Sequence, residues 1–498
     1  MEILFVASEL APALKVGGLA DVVFALSKTL KGLGHKVTLA LPRFPVFERS
    51  GILIARRLTP MPLPVVPGGV PSGSGVPREV VLFDGRLASG VDLVLFDAVG
   101  PDGSSIFSSV ETEDGEHLYG GSTEALRFAV LCRAATELVR QRAATEQKFD
   151  VVHVHDWPTA MVPYLMRLHP ELAKTKTVLT IHNLAHQGNF SGEGARAALS
   201  ALGLGDDHFV PAKLEFYGGV SFLKGGILAA DAITTVSDTY AREILTPVGG
   251  NKMEGVLAAR PDAPIGILNG VDYSVYNPAT DPAIPHKYDA DDPSNKGSCK
   301  TSLLAELGLE IAPERPLFVT LGRVVHQKGA DALAAAIPRL MKQDLALLVA
   351  GSGDPDLAHA LETATSRYPD RSRYLGRVSE PLAHRLLAAA DFVLMPSRFE
   401  PCGLVQVHAQ RYGALPIATR TGGLADTVVD CDVDLETGTG FLIDAATADD
   451  IVGGVGRALA AFAHPRFSGL RRRVMKKDLG WERPARRYAQ VYQRIVAS

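Results

Sequence analysis

A chain of 498 residues is longer than one hydrophobic core usually serves, which points to two or three domains. With 46% apolar and 21% charged residues the composition is that of an ordinary globular protein, and no apolar run is long enough to span a bilayer. The formal net charge of -4 carries no electrostatic footprint that would favour nucleic acid or an anionic membrane.

Taken in chain order, the first β-rich run, Ile3 to Ala7, predicts a buried strand. The opening MEILFVASELAP has no basic n-region, so no signal peptide is expected and the cytoplasm is the expected compartment. Lys15-Val16-Gly17-Gly18-Leu19 follows that strand. Its glycines let the backbone approach a phosphate and its lysine adds charge beside a helix start, so it is either a phosphate-binding turn or a plain structural one. It has neither the GxGxxG spacing of a dinucleotide site nor the GK[ST] ending of a P-loop. After a second strand, Val37 to Leu41, the segment Pro60 to Pro77 is too dense in Pro and Gly for a helix or central strand. A surface loop or edge excursion is expected there.

Val151 to Val154 predicts another strand, ending in His153-Val154-His155-Asp156-Trp157. The two histidines are expected on opposite faces, which speaks against joint metal ligation and makes one of them a satisfied core residue. Asp156 and Trp157 suit a sugar, the carboxylate taking hydroxyls and the ring covering a pyranose face. The strand Thr177 to Ile181 ends in Thr180-Ile181-His182-Asn183, at the sheet edge where ligands gather in α/β folds. The run Tyr273 to Pro293, rich in Pro, Asp, Asn and Tyr, separates two βα-repeating blocks, and a hinge is expected near it.

In the second block, strands are expected at Leu317 to Leu321, Leu345 to Ala350 and Phe392 to Met395. Arg323, as a fork, and Lys328, as a point charge, can converge on one diphosphate. In Ser397-Arg398-Phe399-Glu400-Pro401-Cys402-Gly403-Leu404 a strand ends in a carboxylate, and proline and glycine open the next helix with free backbone amides. Gly17 to Val23 is echoed by Gly422 to Val428, each between a strand and a helix. Arg471, Arg472, Arg473, Lys476 and Lys477 are expected to form a solvated helix face. Asp289-Ala290-Asp291 and Asp432-Val433-Asp434 have DxD spacing but fall in linker and loop, where solvated acids are expected. The four cysteines form no CxxC pair, so neither zinc nor a disulfide framework is expected. Strands alternating with helices throughout predict an α/β chain with parallel sheets.

Together these residues resemble the bacterial glycogen synthase and plant starch synthase family. KVGGLADVV, HVHDW, TIHNLAHQG, SFLKGG, ADAITTVSDTYAREI, ILNGVD, NPATD, GRVVHQKG, SRFEPCGL and TGGLADTV occur in that family's order, from Met1 to the Trp481-Glu482 helix. The resemblance implies a GT-B fold: two Rossmann-like lobes, residues 1–268 for the acceptor and 269–477 for the nucleotide sugar, a deep cleft between them, and residues 478–498 as a helix crossing back to the first lobe. It implies transfer of glucose, with retention, from ADP-glucose to the non-reducing end of an α-1,4-glucan, with no metal and no cofactor. Carried over by position, His182, Glu400, Arg323 and Lys328 would be catalytic. Lys15, Gly17, Gly18, Asp21, Asn269, Cys402, Gly403 and Leu404 would bind the donor, and Glu9, Asp156, Trp157 and Asn183 the acceptor and sugar.

The sequence departs from the family at three places. Val405 stands where Thr is usual, His408 where Tyr is usual, and neither Arg377 nor Val378 supplies the aromatic that commonly stacks on the donor base. Ser108 to Ser122 also lacks the expected aromatic and Pro-rich pattern. The competing readings are another retaining GT-B transferase with a small-sugar acceptor or a different nucleoside diphosphate glucose, and a weakly active glucan-binding paralogue. A nicotinamide dehydrogenase would need a GxGxxG after an opening strand, and none stands there.

Overall fold

The computed structural model describes residues 1–73, 75–100, 102–108 and 118–498. Most of the segment 108–122 therefore lies outside the described residues. The chain forms two units: Met1–Val236 with Ala241–Ile267 and Trp481–Ser498, and Ser237–Tyr240 with Leu268–Gly480.

The first unit is built on a ten-stranded sheet. Its parallel part runs Ile265–Gly266, Ala232–Thr235, Lys176–Ile181, Val151–His155, Glu2–Val6, Lys36–Pro42, Asp92–Asp97 in spatial order. Counted along the chain from the far edge, these strands stand in the order 3-2-1-4-5-6-7. Glu79–Arg86 and Ile54–Arg56 extend that edge as antiparallel strands. The Pro60 to Pro77 excursion contributes the short strand Met61–Pro62 to this edge. The excursion is more than a surface loop, because the buried Arg133 reaches from the helix Glu124–Ala143 to Ser72 Oγ at 2.7 Å and to the carbonyls of Leu63 and Pro64 at 3.1 and 3.2 Å. A smaller antiparallel sheet joins Asn189–Ser191, Gly219–Ser221 and Glu215–Phe216.

The last helix, Glu482–Ala497, belongs to the first unit. Ala485, Tyr488, Val491, Tyr492 and Ile495 recur at helical spacing and are buried, while its arginines face outward. Tyr492 reaches His153 in the central strand, OH to Nδ1 2.7 Å.

The second unit carries a six-stranded, wholly parallel sheet: Ser372–Gly376, Ala346–Ala350, Leu317–Leu321, Phe392–Met395, Leu415–Thr419, Phe441–Ile443. This is the 3-2-1-4-5-6 order of a Rossmann fold. The apolar strands are continuous because both faces are covered: Leu317, Val319, Leu348 and Val393 pack into one core, and Phe318, Leu347, Val349, Phe392 and Leu394 into the other.

The run Tyr273 to Pro293 is packed: Tyr276, Ile284 and Tyr288 are core residues and Tyr288 OH donates to the Tyr412 carbonyl at 2.9 Å. The chain changes units just before that run, at Ile267–Leu268, and also at Val236–Ser237, Tyr240–Ala241 and Gly480–Trp481. One expectation fails in this unit, since the basic run is not a solvated face throughout. Arg471 pairs with the buried Asp391 at 2.7 Å, and Arg473 donates to the carbonyls of Leu435, Thr437 and Gly438.

Candidate active site

In a sheet of this order the strand sequence reverses beside strand 1, and ligands gather at the carboxyl ends of the two strands flanking that point. In the first unit those strands are Glu2–Val6 and Val151–His155, and they lead into Glu9 and Asp156. In the second they are Leu317–Leu321 and Phe392–Met395, and they lead into Arg323 and Glu400. Four of the residues singled out in the sequence therefore follow the two switch points.

In the first unit, Glu9 is buried, and its carboxylate accepts from the backbone amides of Val16 and Gly17 at 2.8 and 3.1 Å and from Tyr119 OH at 2.6 Å. Burial raises its pKa, and these three donors oppose the rise. Glu9 thus shapes the glycine turn, and the Gly17 amide is spent on it rather than left for an anion. Gly18 opens the helix Gly18–Gly32, and Lys15 is paired with Asp21 of its first turn at 3.0 Å. Tyr119, which no sequence motif flags, also reaches Ser8 Oγ at 2.9 Å.

His153 and His155 are on one face, against the expectation, because side chains two apart on a strand share a face. Their ring centroids lie 4.3 Å apart, both rings are buried, and burial holds both well below the ordinary histidine pKa. Asp156 follows in a left-handed conformation, φ 55°, that few non-glycine residues adopt. Its Oδ1 accepts from the amides of His182 at 2.7 Å and Asn183 at 3.4 Å, so it orders the turn that carries both. Burial raises its pKa to about 7 despite those amides. His182 in turn meets His155, Nε2 to Nδ1 3.0 Å, and burial pushes its pKa down to about 3, so the ring is neutral at physiological pH. Asn183 caps its own turn through Ala185 N at 3.1 Å. Trp157 does not offer a ring to sugar. It is 7% exposed and packs against Phe128, Tyr119, Phe190 and Phe222, with Gly188 close enough to its face that a Cβ would stand 2.2 Å from the ring.

In the second unit Lys328 ends a single helical turn, His326–Lys328, and Gly329 follows at φ 71° where a Cβ would stand 2.1 Å from the Pro396 carbonyl. Only glycine fits between the two loops. Lys328 Nζ pairs with the buried Glu400 carboxylate, which also accepts from Ser397 Oγ at 3.1 Å. Arg398 fastens the loops together, bidentate to Asp331 at 2.7 Å and with NH1 also donating to the His326 carbonyl at 2.7 Å. Arg323 is exposed and makes no ion pair or side-chain hydrogen bond among the described residues.

Beyond Glu400, Gln406 Nε2 donates to the carbonyls of Cys402 and Gly403, each at 2.9 Å, which turns those carbonyls inward ahead of the helix Val405–Arg411. Leu404 and Val405 pack on the core. The Cys402 thiol is raised to about 12 by burial and meets Asn269, itself buried with an unpaired Oδ1. The echo of the first glycine turn has another task here. Gly423 N donates to the Glu400 carbonyl at 3.0 Å, and Asp426 accepts from Thr239 N and Oγ1 at 2.8 and 2.6 Å. His408 is accounted for by packing: its ring stacks on Tyr276 at 3.6 Å, with His384 stacked near the same tyrosine at 4.6 Å. Arg377 is exposed at the end of the Ser372–Gly376 strand. The two DxD runs serve local structure, Asp289 accepting from the amides of Asp291 and Asp292, Asp291 pairing with Lys476, and Asp432 accepting from Glu436 N and Thr437 N.

The chain matches two family models, the starch synthase catalytic domain over residues 2–259 and glycosyl transferases group 1 over residues 315–461. The glycogen synthase of Anaeromyxobacter sp. (strain Fw109-5) is 41% identical over 100% of both chains. The chain belongs to the glycogen and starch synthase family. Another member, the glycogen synthase of Geotalea daltonii, is 37% identical over 100% of this chain and 99% of its own. The solved catalytic domain of starch synthase IV from Arabidopsis thaliana, bound to ADP and acarbose, is 30% identical with a TM-score of 0.88, over 100% of this chain and 99% of that one. Sucrose-phosphate synthase from Thermosynechococcus elongatus, at 17% identity and a TM-score of 0.60, shares the fold. The family's GT-B fold, two Rossmann-like units with a final helix on the first, is the fold of this glycosyltransferase. Among the described residues no helix is long and apolar enough to cross a membrane.

Proposed function

We propose that the chain elongates an α-1,4-glucan in the cytoplasm, transferring glucose with retention from ADP-glucose to a non-reducing end without a metal. The observation that carries this reading is the buried Glu400 held between Lys328 and Ser397 at the second unit's switch point, with the exposed Arg323 after the neighbouring strand. A carboxylate there can take the hydroxyls of the donor glucose while the two cations take its diphosphate, where charge develops as the glycosidic bond breaks. Lys15 and the Gly18 helix start belong to the same donor, as do Asn269 and the backbone from Cys402 to Leu404. His182 lies against the glucose. Asp156 and Asn183 serve the acceptor, and Glu9 does so through the turn it shapes. The bound ADP of the Arabidopsis relative supports adenine as the base.

The test is a panel of ADP-, UDP- and GDP-glucose, each with and without glycogen. Incorporation that needs both ADP-glucose and glycogen is expected. Transfer from UDP- or GDP-glucose instead would overturn ADP-glucose as the donor, transfer to a small sugar alone would overturn the polymer acceptor, and glucan binding with no turnover would make this a binding paralogue.

A further inference from the structure

We infer that His155 is a positioning residue that fixes His182 as the tautomer with its proton on Nδ1, so that His182 meets the donor sugar as a hydrogen-bond donor. The inference rests on the place given to His182 under the proposed function.

His155 Nδ1 and His182 Nε2 lie 3.0 Å apart, so one hydrogen bridges them. Burial keeps both rings neutral, which leaves one proton to each. His155 is 0% exposed, and its Nε2 has no hydrogen-bond partner. With the bridging hydrogen on His182, the His155 proton would sit on Nε2 as a buried N–H with nothing to receive it. With the bridging hydrogen on His155 Nδ1, the unmatched Nε2 is a bare lone pair. Orphaned buried N–H groups are the rarer of the two in folded proteins, so the second arrangement prevails. His182 Nε2 then accepts and its own proton goes to Nδ1, since the bond made at one ring nitrogen decides the other.

The surroundings hold the His155 ring in this orientation. It lies against His153, centroids 4.3 Å apart, and Phe5 at 5.2 Å. His153 is itself fixed at both nitrogens, by Thr180 Oγ1 at 2.6 Å and by Tyr492 OH of the last helix at 2.7 Å. His182 is half-buried and makes no other side-chain hydrogen bond among the described residues, so its Nδ1–H is left for substrate. A ring in this state can donate to a hydroxyl or ring oxygen of the sugar and cannot take a proton from it, which excludes His182 as a general base.

Nitrogen-15 NMR of the full chain labelled at histidine reads the tautomer directly, with the His182 signals assigned by their loss in His182→Gln. An Nδ1–H pattern for His182, unchanged between about pH 6 and 8, is expected. An Nε2–H pattern would overturn the inference. The same conclusion is read in kinetics from two variants. His155→Asn can place an amide N–H near the position of Nδ1, and is expected to stay within about tenfold of the parent kcat. His155→Leu cannot, and is expected to lose about a hundredfold in kcat with little change in the KM for ADP-glucose. Equal loss in both variants would overturn it. If the parent chain used no nucleotide sugar at all, the functional reading would fall, while the NMR pattern would still decide the tautomer.

Discussion

Replacing Arg323 by alanine is expected to lower kcat by more than about a hundredfold with the fold intact, and Lys328→Ala is expected to do the same. The two cations would fail for different reasons. Arg323 is exposed and holds nothing among the described residues, so its removal should cost at most about 0.5 kcal/mol of stability and act only on the bound diphosphate. Lys328 is the partner of Glu400, and without it the buried carboxylate keeps, among the described residues, only Ser397 Oγ. Glu400 should then be held less firmly for the sugar hydroxyls, so Lys328→Ala should also raise the KM for the donor. Steady-state kinetics alongside circular dichroism separate the two. Full turnover in either variant would remove that residue from the chemistry.

Asp391→Asn is expected to destabilise the second unit by about 3–5 kcal/mol, because it strips the anion from a buried cluster and leaves two cations. Asp391 Oδ2 accepts from Lys300 Nζ at 2.9 Å and from Leu317 N at 2.9 Å, while Oδ1 accepts from Arg471 at 2.7 Å. Lys300 and Asp391 are both almost wholly buried. The carboxylate also lies where three strands are fastened, since its own backbone pairs with Leu317 and Leu415. Burial by itself would raise the Asp391 pKa, but Lys300 and Arg471 outweigh it and hold the group below the ordinary 3.8. A carboxyl depressed on folding adds stability that is present above its unfolded pKa and is lost as the pH falls through the folded one. The variant should therefore differ most from the parent at neutral pH, and the gap should close in strong acid. Calorimetry should place its unfolding transition on the order of 10 °C lower at pH 7. A shift of under about 2 °C would mean that the cluster contributes little to stability.

Much of this was legible from the chain alone. Continuous apolar runs gave most of the central strands, since strands covered on both faces cannot hide their hydrophobicity, though Asp92–Asp97, Ala232–Thr235 and Leu415–Thr419 were not singled out. The motifs at strand ends reached Asp156, His182, Arg323 and Glu400, and the resemblance added Glu9. What stayed hidden depends on contacts between residues far apart in sequence. Nothing near Tyr119 announces its bond to Glu9, 110 residues away, and nothing in HVHDW tells that Tyr492 anchors it. The polar look of Tyr273 to Pro293 marks the neighbourhood of a unit change, at Ile267–Leu268, but does not reveal that its tyrosines and Ile284 reach a core. Trp157 illustrates the opposite error. A tryptophan after an aspartate suggests a sugar platform, but here four aromatic neighbours claim the ring. His408 reads as a lost polar contact in the sequence and proves to be half of a stack on Tyr276.

The most direct test of the account is the product itself. Glycogen incubated with ADP-glucose carrying carbon-13 at C1, and with the full chain, should show the label as new α-1,4-linked anomeric signals at non-reducing ends, in the absence of added metal and in the presence of a chelator. Label in a β linkage, label confined to free glucose, or no label in the polymer would contradict it.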